Sequence, residues 1–258
     1  MAAMIGPTKR KLESAVIFMA IQYTFQRVEK KYFLTPAQYE MLRPVLEKHT
    51  KPDEFGPSTV YSLYCDTDDY GLIRHSEGRP VYKEKLRLRS YGVPGENDSV
   101  FLELKKKYKG VVFKRRISLP LHEARTYLET GQHPDGENQI FQEIDWFIRT
   151  NRPQPKALIA CDRVALVGRE DPCLRLTFDR HIRFRRTELD LSLGDRDMQI
   201  LEPDLILMEV KASGAVPVWL SHLLSQLQIF PTTFSKYGAC YKNYLLPTYF
   251  ERTVNSYV

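Results

Sequence analysis

Apolar and polar residues alternate along much of this chain, and the same signature returns in run after run. Over 23–34, Arg27, Glu29, Lys31 and Phe33 fall on one side and Val28, Lys30, Tyr32 and Leu34 on the other, the two-residue period of a strand. Further strands are predicted over 59–65, 80–91, 99–108, 111–119, 156–168, 173–183 and 205–212. The runs ending and starting around Tyr108-Lys109-Gly110 lie so close together that they predict an antiparallel hairpin. Helices are predicted over 121–129 and 139–150, and where Trp219, Leu220, Leu223, Leu224 and Leu227 recur at helical spacing. Thr35-Pro36 predicts another: threonine as N-cap, proline at the first helical position, and an apolar stripe of Met41, Leu42, Val45 and Leu46. The pattern is α+β, an antiparallel sheet with helices packed outside it.

The charges on these strands carry the functional signal. Lys83, Lys85, Arg87 and Arg89 share a face opposite Leu86 and Leu88. The next run sets Phe101, Glu103, Lys105 and Lys107 against Leu102 and Leu104, and its hairpin partner sets Val112, Lys114 and Arg116 against Val111, Phe113, Ile117 and Leu119. Arg175, Thr177 and Asp179 oppose Leu174, Leu176 and Phe178, while Glu209 and Lys211 oppose Ile206, Met208 and Val210. One such strand is an ordinary half-solvated strand. Taken together, the polar faces are biased to cations, whereas a soluble surface mixes signs. The helices need the leucine faces to pack on, which turns the cationic faces inward, so a sheet curled into a barrel would line its lumen with them. Crowded, desolvated cations are costly without partners, and a chain of phosphates is the partner that matches them. Glu29, Glu103 and Glu209, interspersed among the cations, are hard oxygen ligands suited to Mn²⁺ or Mg²⁺.

Composition narrows the classes. The 258 residues carry 43% hydrophobic and 27% charged positions, which excludes wholesale disorder. Lys and Arg number 38 against 32 Asp and Glu, so placement of the positive charges matters more than their modest excess. Cys65, Cys161, Cys173 and Cys240 stand far apart, which speaks against a disulfide scaffold or a structural zinc site. Walker, dinucleotide-binding, H-E-x-x-H and G-x-S-x-G motifs are absent. The apolar run from Ala15 to Ile21 is too short to cross a bilayer, so residues 1–21 are expected to be a flexible extension and 22–258 one tunnel domain, in a cytoplasmic protein. Any membrane-protein partner is expected to be a separate polypeptide.

Seven motifs, in order, resemble the catalytic domain of the vacuolar transporter chaperone (VTC) polyphosphate polymerases. They are Arg27-Val28-Glu29-Lys30-Lys31-Tyr32-Phe33, Lys85-Leu86-Arg87-Leu88-Arg89-Ser90-Tyr91-Gly92, Phe101-Leu102-Glu103-Leu104-Lys105, Phe113-Lys114-Arg115-Arg116-Ile117-Ser118, Cys161-Asp162-Arg163-Val164-Ala165, Met208-Glu209-Val210-Lys211 and Phe234-Ser235-Lys236-Tyr237. That family belongs to the triphosphate tunnel metalloenzymes, or CYTH-like superfamily. The resemblance implies an antiparallel β-barrel tunnel that binds a nucleoside triphosphate and a divalent metal, Mn²⁺ or Mg²⁺, and transfers the γ-phosphate of ATP to inorganic polyphosphate. By matching positions, Lys31, Arg87, Arg89, Lys105, Lys114, Arg163 and Arg175 would hold phosphates, with Lys85 and Arg116 beside them. Glu209 would bind the metal, together with Glu29, and Lys211, Ser235 and Lys236 would complete the tunnel. The superfamily's first-strand E-x-E-x-K is here Arg27-x-Glu29-x-Lys31, which favours the polymerase branch. Two other readings fit the cationic faces: a triphosphatase in the same tunnel, and a non-catalytic polyanion-binding module. Nucleic acid is not expected as a ligand, because a closed tunnel excludes duplex and only Tyr91 and Phe101 offer stacking surfaces near the cations.

Overall fold

The computed structural model describes residues 27–109, 111–132, 138–194 and 198–249. The expected extension at 1–21 lies outside them. The strands are β1 (Arg27–Leu34), β2 (Thr50–Pro52), β3 (Ser58–Asp66), β4 (Tyr82–Tyr91), β5 (Ser99–Tyr108), β6 (Val111–Pro120), β7 (Gln154–Gly168), β8 (Arg175–Arg185), β9 (Met198–Gln199), β10 (Ile206–Ser213) and β11 (Pro231–Thr232). The helices are α1 (Pro36–His49), α2 (Gly71–Glu77), α3 (Leu121–Thr130), α4 (Gln139–Asn151), α5 (Val218–Gln226) and α6 (Lys236–Cys240), the last running on through a π-helical segment, Tyr241–Leu245.

All the strand pairings are antiparallel, in the order β11-β1-β10-β8-β7-β3-β4-β5-β6, with β2 added to β7 and β9 to β8. No hydrogen-bonded pairing joins β6 back to β1 or β11 among the described residues, so the barrel has a seam. The sheet nonetheless curls far enough for Lys105 Nζ on β5 to lie 3.6 Å from Glu29 Oε2 on β1.

Two apolar cores form outside the sheet, each between leucine-rich strand faces and a helix pair. Leu86, Leu88, Leu102, Leu104 and Ile117 pack beneath α3 and α4, which contribute Tyr127, Ile144 and Phe147. Leu34, Leu176, Phe178, Met208 and Val210 pack against Leu42 and Leu46 of α1 and Leu220 and Leu224 of α5. The helices thus take the apolar faces, as the alternation requires, and the charged faces turn inward. A third cluster fills part of the inner face itself: Tyr237, Cys240, Tyr241 and Leu245 of the α6 segment pack on Val60, Ile159, Phe184 and Leu207.

Local chemistry sets the helix ends. Thr35 caps α1 with a full capping box, its hydroxyl accepting from Gln38 N while Gln38 Oε1 accepts from Thr35 N, and Pro36 opens the helix. Asn138 caps α4 by accepting from Phe141 N at 2.8 Å. The expected α1 stripe needs correction: Leu42 and Leu46 are buried and Tyr39 packs edge-on against Phe178, but Met41 is exposed and Val45 only partly covered. Strand β8 starts two residues later than expected, because Cys173 N is held in a turn by Asp171 Oδ1.

The seven-residue α2, not foreseen from periodicity, is organised by Asp66. Its buried carboxylate accepts from Thr67 N, Leu72 N and Ile73 N at 2.8–3.1 Å and from the Tyr237 hydroxyl at 3.0 Å. One side chain therefore ties β3, α2 and α6 together. Replacing it would strand several buried donors at once. Asp66→Ala is expected to cost roughly 3 kcal/mol of stability, read as a lower urea midpoint, whereas Asp68→Ala, at an exposed carboxylate, should change it by much less.

Candidate functional site

The inner face carries two linked clusters, each a carboxylate enclosed by cations. In the first, Glu103 on β5 is 1% exposed. Cross-strand register places Arg87 on one side of it and Arg116 on the other. Arg87 Nε lies 2.8 Å from Glu103 Oε2, Arg116 Nε 2.6 Å and Lys114 Nζ 2.7 Å from Oε1, and Arg89 NH1 approaches to 4.0 Å. Burial penalises the Glu103 carboxylate, but Arg87 and Arg89 outweigh that and hold its pKa well below the usual range. The sequence reading of Glu103 as a metal ligand is thereby corrected: both its oxygens are held by cations at 2.6–2.8 Å, whereas the lysines around Glu209 and Glu29 stand 3.5–4.0 Å away.

The second cluster lies on β7, β8 and β10. Asp179, with no exposed surface, takes a two-pronged contact from Arg163, at 2.6 Å from Nε and 2.7 Å from NH2. Lys236, at the first position of α6, pairs with Asp179 and lies 3.7 Å from Glu209 Oε1. Lys31 and Lys211 complete the ring around Glu209, at 3.5 and 3.6 Å. Burial works against ionisation of Asp179 and Glu209, but Lys236 and its neighbours hold both pKa values down. The same pairing raises Lys236 against the cost of its burial.

Glu29 links the clusters, with Lys105 at 3.6 Å and Lys31 at 4.0 Å. Lys85 donates to Ser235 Oγ at 3.1 Å, and Lys31 donates to the Phe234 carbonyl at 2.9 Å, so the turn leading into α6 is anchored within the bore. Ser235 also caps α6 by accepting from Gly238 N.

Of the twelve cations and hydroxyls singled out from the sequence, only Arg175 is not brought together with the rest. It lies on the inward face of β8 but near its start, where Asp53 Oδ2 holds it at 2.7 Å. Ten cations therefore surround four carboxylates, Glu29, Glu103, Asp179 and Glu209. The surplus leaves its mark on the lysines: burial, with like charges nearby, pulls Lys85 down to about 8 and lowers Lys114 and Lys211.

Three site residues went unassigned in the sequence. Asp179 showed only as one member of an alternating strand, and its partnership with Arg163 depends on β7–β8 register. Tyr64 sits across from Arg87, accepts from its NH1 at 3.3 Å and stacks on Tyr237 at 4.6 Å. Burial would raise the Tyr64 phenol, but Arg87 and Arg89 bring it down to about 8. Thr177, directly across from Glu209, is buried and its hydroxyl has no hydrogen-bond partner.

Metal chemistry can be judged from the donors present. No ready cage of three or more His, Cys, Asp or Glu side chains occurs among the described residues. Glu209 and Glu29, with the unpartnered Thr177 hydroxyl, nonetheless offer hard oxygen donors of the kind that hold Mg²⁺ or Mn²⁺ when substrate phosphates and water supply the remaining ligands. The residues fit such an ion.

Comparison with known proteins places the chain. The fold is similar to that of a proposed adenylate cyclase from Bacillus halodurans, with a TM-score of 0.51 and 16% identity over 81% of this chain and 95% of that one. A proposed adenylyl cyclase from Hippeastrum with a dominant triphosphatase activity aligns with a TM-score of 0.48 and 15% identity, over 84% and 95% of the two chains. A proposed adenylate cyclase from Vibrio parahaemolyticus gives 0.46 and 10%, over 84% and 98%. No curated protein sequence matches. A family model described as the VTC domain matches residues 26–245, which include all of the described sheet and both cation clusters, and the chain belongs to the VTC domain family.

Proposed function

We propose that this protein is a polyphosphate polymerase that transfers the γ-phosphate of ATP to the end of an inorganic polyphosphate chain inside the cationic bore. The observation that carries this reading is the surplus of cations over carboxylates on an inward face. Arg87, Arg89, Lys114 and Arg116 form one bank and Lys31, Arg163, Lys211 and Lys236 another, suited to a linear run of phosphates rather than to a single anion.

The carboxylates position these cations before substrate arrives. Arg87 and Arg116 are oriented by Glu103, and Arg163 and Lys236 by Asp179, so little rearrangement is needed when phosphate oxygens engage their remaining donors. Phosphoryl transfer asks little covalent chemistry of a protein, and positioned positive charge offsets the charge that spreads over the transferring group. Glu209 and Glu29, with Thr177 nearby, would hold a divalent ion, which supplies further charge neutralisation when bound.

The protonation states bear on the acceptor. Glu29, Glu103, Asp179 and Glu209 all have lowered pKa values despite burial, because cations surround them, so each is a weak base. A terminal phosphate is already an ionised nucleophile and needs no base. Phosphate as acceptor is therefore compatible with a site of weakly basic carboxylates, and the two banks of cations, matched to a run of phosphates, favour it over water.

Incubation with ATP and Mn²⁺ followed by gel separation should show long polyphosphate, whereas accumulation of orthophosphate alone would make the protein a triphosphatase. Affinity should also depend on pH in a stated direction. Free Lys85 loses its proton and Tyr64 becomes anionic near pH 8, and both changes disfavour phosphate. Tripolyphosphate binding measured by calorimetry should weaken as pH rises from 7 to 9, and a Lys85→Arg, Tyr64→Phe double variant should show a flatter profile.

A further inference from the structure

The end of the β4–β5–β6 sheet carries an apolar tip that neither core uses. Val81, Tyr82, Tyr108, Val111, Val112 and Phe113 are between 39% and 62% exposed. Tyr82, Tyr108, Val111 and Phe113 share the outer face, where Tyr82 pairs with Tyr108 and Tyr108 with Val111; Lys109 N donates to the Val81 carbonyl at 3.0 Å, and Val112 lies on the inward face of the same tip. Contiguous exposed apolar surface of this kind marks an interaction site more often than chance.

What surrounds the tip selects the partner. Arg79, Lys107 and Lys109 are exposed beside it, Lys83 lies on the adjacent inward face, and the Lys109 ammonium sits 5.5 Å from the centre of the Tyr108 ring. The carboxylates around it are engaged: Glu84 accepts from the Tyr82 hydroxyl, Glu143 accepts from Lys106 and Arg115, and Glu77, which acts on Lys83, pairs with Lys242. A second copy meeting this tip through a two-fold axis would bring cation against cation. Charged Lys114 and Arg115 on the outer strand β6 also oppose edge-to-edge strand pairing. An anionic bilayer satisfies both parts of the tip, since valine and phenylalanine can enter the acyl boundary, tyrosines favour the headgroup level, and lysines meet lipid phosphate and carboxylate.

We infer that the β4–β5–β6 tip is a docking element for an anionic lipid surface. No helix among the described residues is long and apolar enough to cross a membrane. This inference does not depend on the reaction assigned to the bore. It does bear on the geometry of the product, because the inward cations Lys105 and Lys107 of β5 lead from Glu103 to the same tip. A docked tip would hold that end of the bore against the bilayer.

Flotation of the full chain with vesicles tests it. The protein should float with phosphatidylcholine vesicles containing phosphatidylserine and not with phosphatidylcholine alone, and high salt should weaken the binding. Val111→Asp with Phe113→Asp should lower the bound fraction about tenfold, with the unfolding midpoint held as a control. Lys109→Glu, which leaves the apolar residues in place, should lower it less. Excess tripolyphosphate should not release the protein. Four results would overturn the inference: no flotation on anionic vesicles, equal flotation of a folded Val111→Asp, Phe113→Asp variant, release by tripolyphosphate, which would assign lipid binding to the bore, or concentration-dependent self-association that these substitutions abolish.

Discussion

Buried carboxylates make it possible for the bore's cations to stand within a few ångströms of one another. Glu103 alone is shared by Arg87, Lys114 and Arg116, and Asp179 by Arg163 and Lys236. Each carboxylate offsets the repulsion between its neighbours and orients them at the same time. A desolvated ion is costly without a partner, and the exchange is favourable only where every charge finds one. Here the exchange is left incomplete, since cations outnumber carboxylates and several lysines are pushed toward neutrality. That residual imbalance is what a polyanion can complete.

The fold follows from where the leucines go. Two separate apolar cores, one under α3 and α4 and one under α1 and α5, hold the outer faces of the sheet. With those faces occupied, the charged faces have only the interior left. The α6 segment then fills part of that interior with aromatic and aliphatic side chains while presenting Lys236 and Ser235 to the charged part. Asp66 fastens this segment to the sheet through Tyr237, which in turn stacks on Tyr64 beside Arg87. Stability and site geometry are coupled along this line of contacts.

The two-residue period along 82–116 was enough to assign faces, and the positions of Arg87, Lys105 and Lys114 on the inward face were legible from it, whereas Lys31 and Arg163 were singled out by the family resemblance. Pairing was not. That Glu103 would serve as a clamp for arginines, and not as a metal ligand, depends on which strand residues sit opposite it. That Arg175 would be taken by Asp53, 122 residues away, depends on the path of the loop before β3. Asp179 looked like one polar position among several until β7 placed Arg163 across from it. On α1, helical spacing admitted Met41 to the apolar stripe, but the sheet beneath buries Leu42 and Leu46 with Tyr39 packed beside them and leaves Met41 exposed.

The most direct test of the inward-facing cationic bore is covalent footprinting of lysines with and without tripolyphosphate, read by mass spectrometry. Lys31, Lys105, Lys114 and Lys211 should become strongly protected when the ligand is present, while exposed Lys48 and Lys51 on the outer surface react unchanged. Equal labelling of the inward lysines in both conditions would contradict the account.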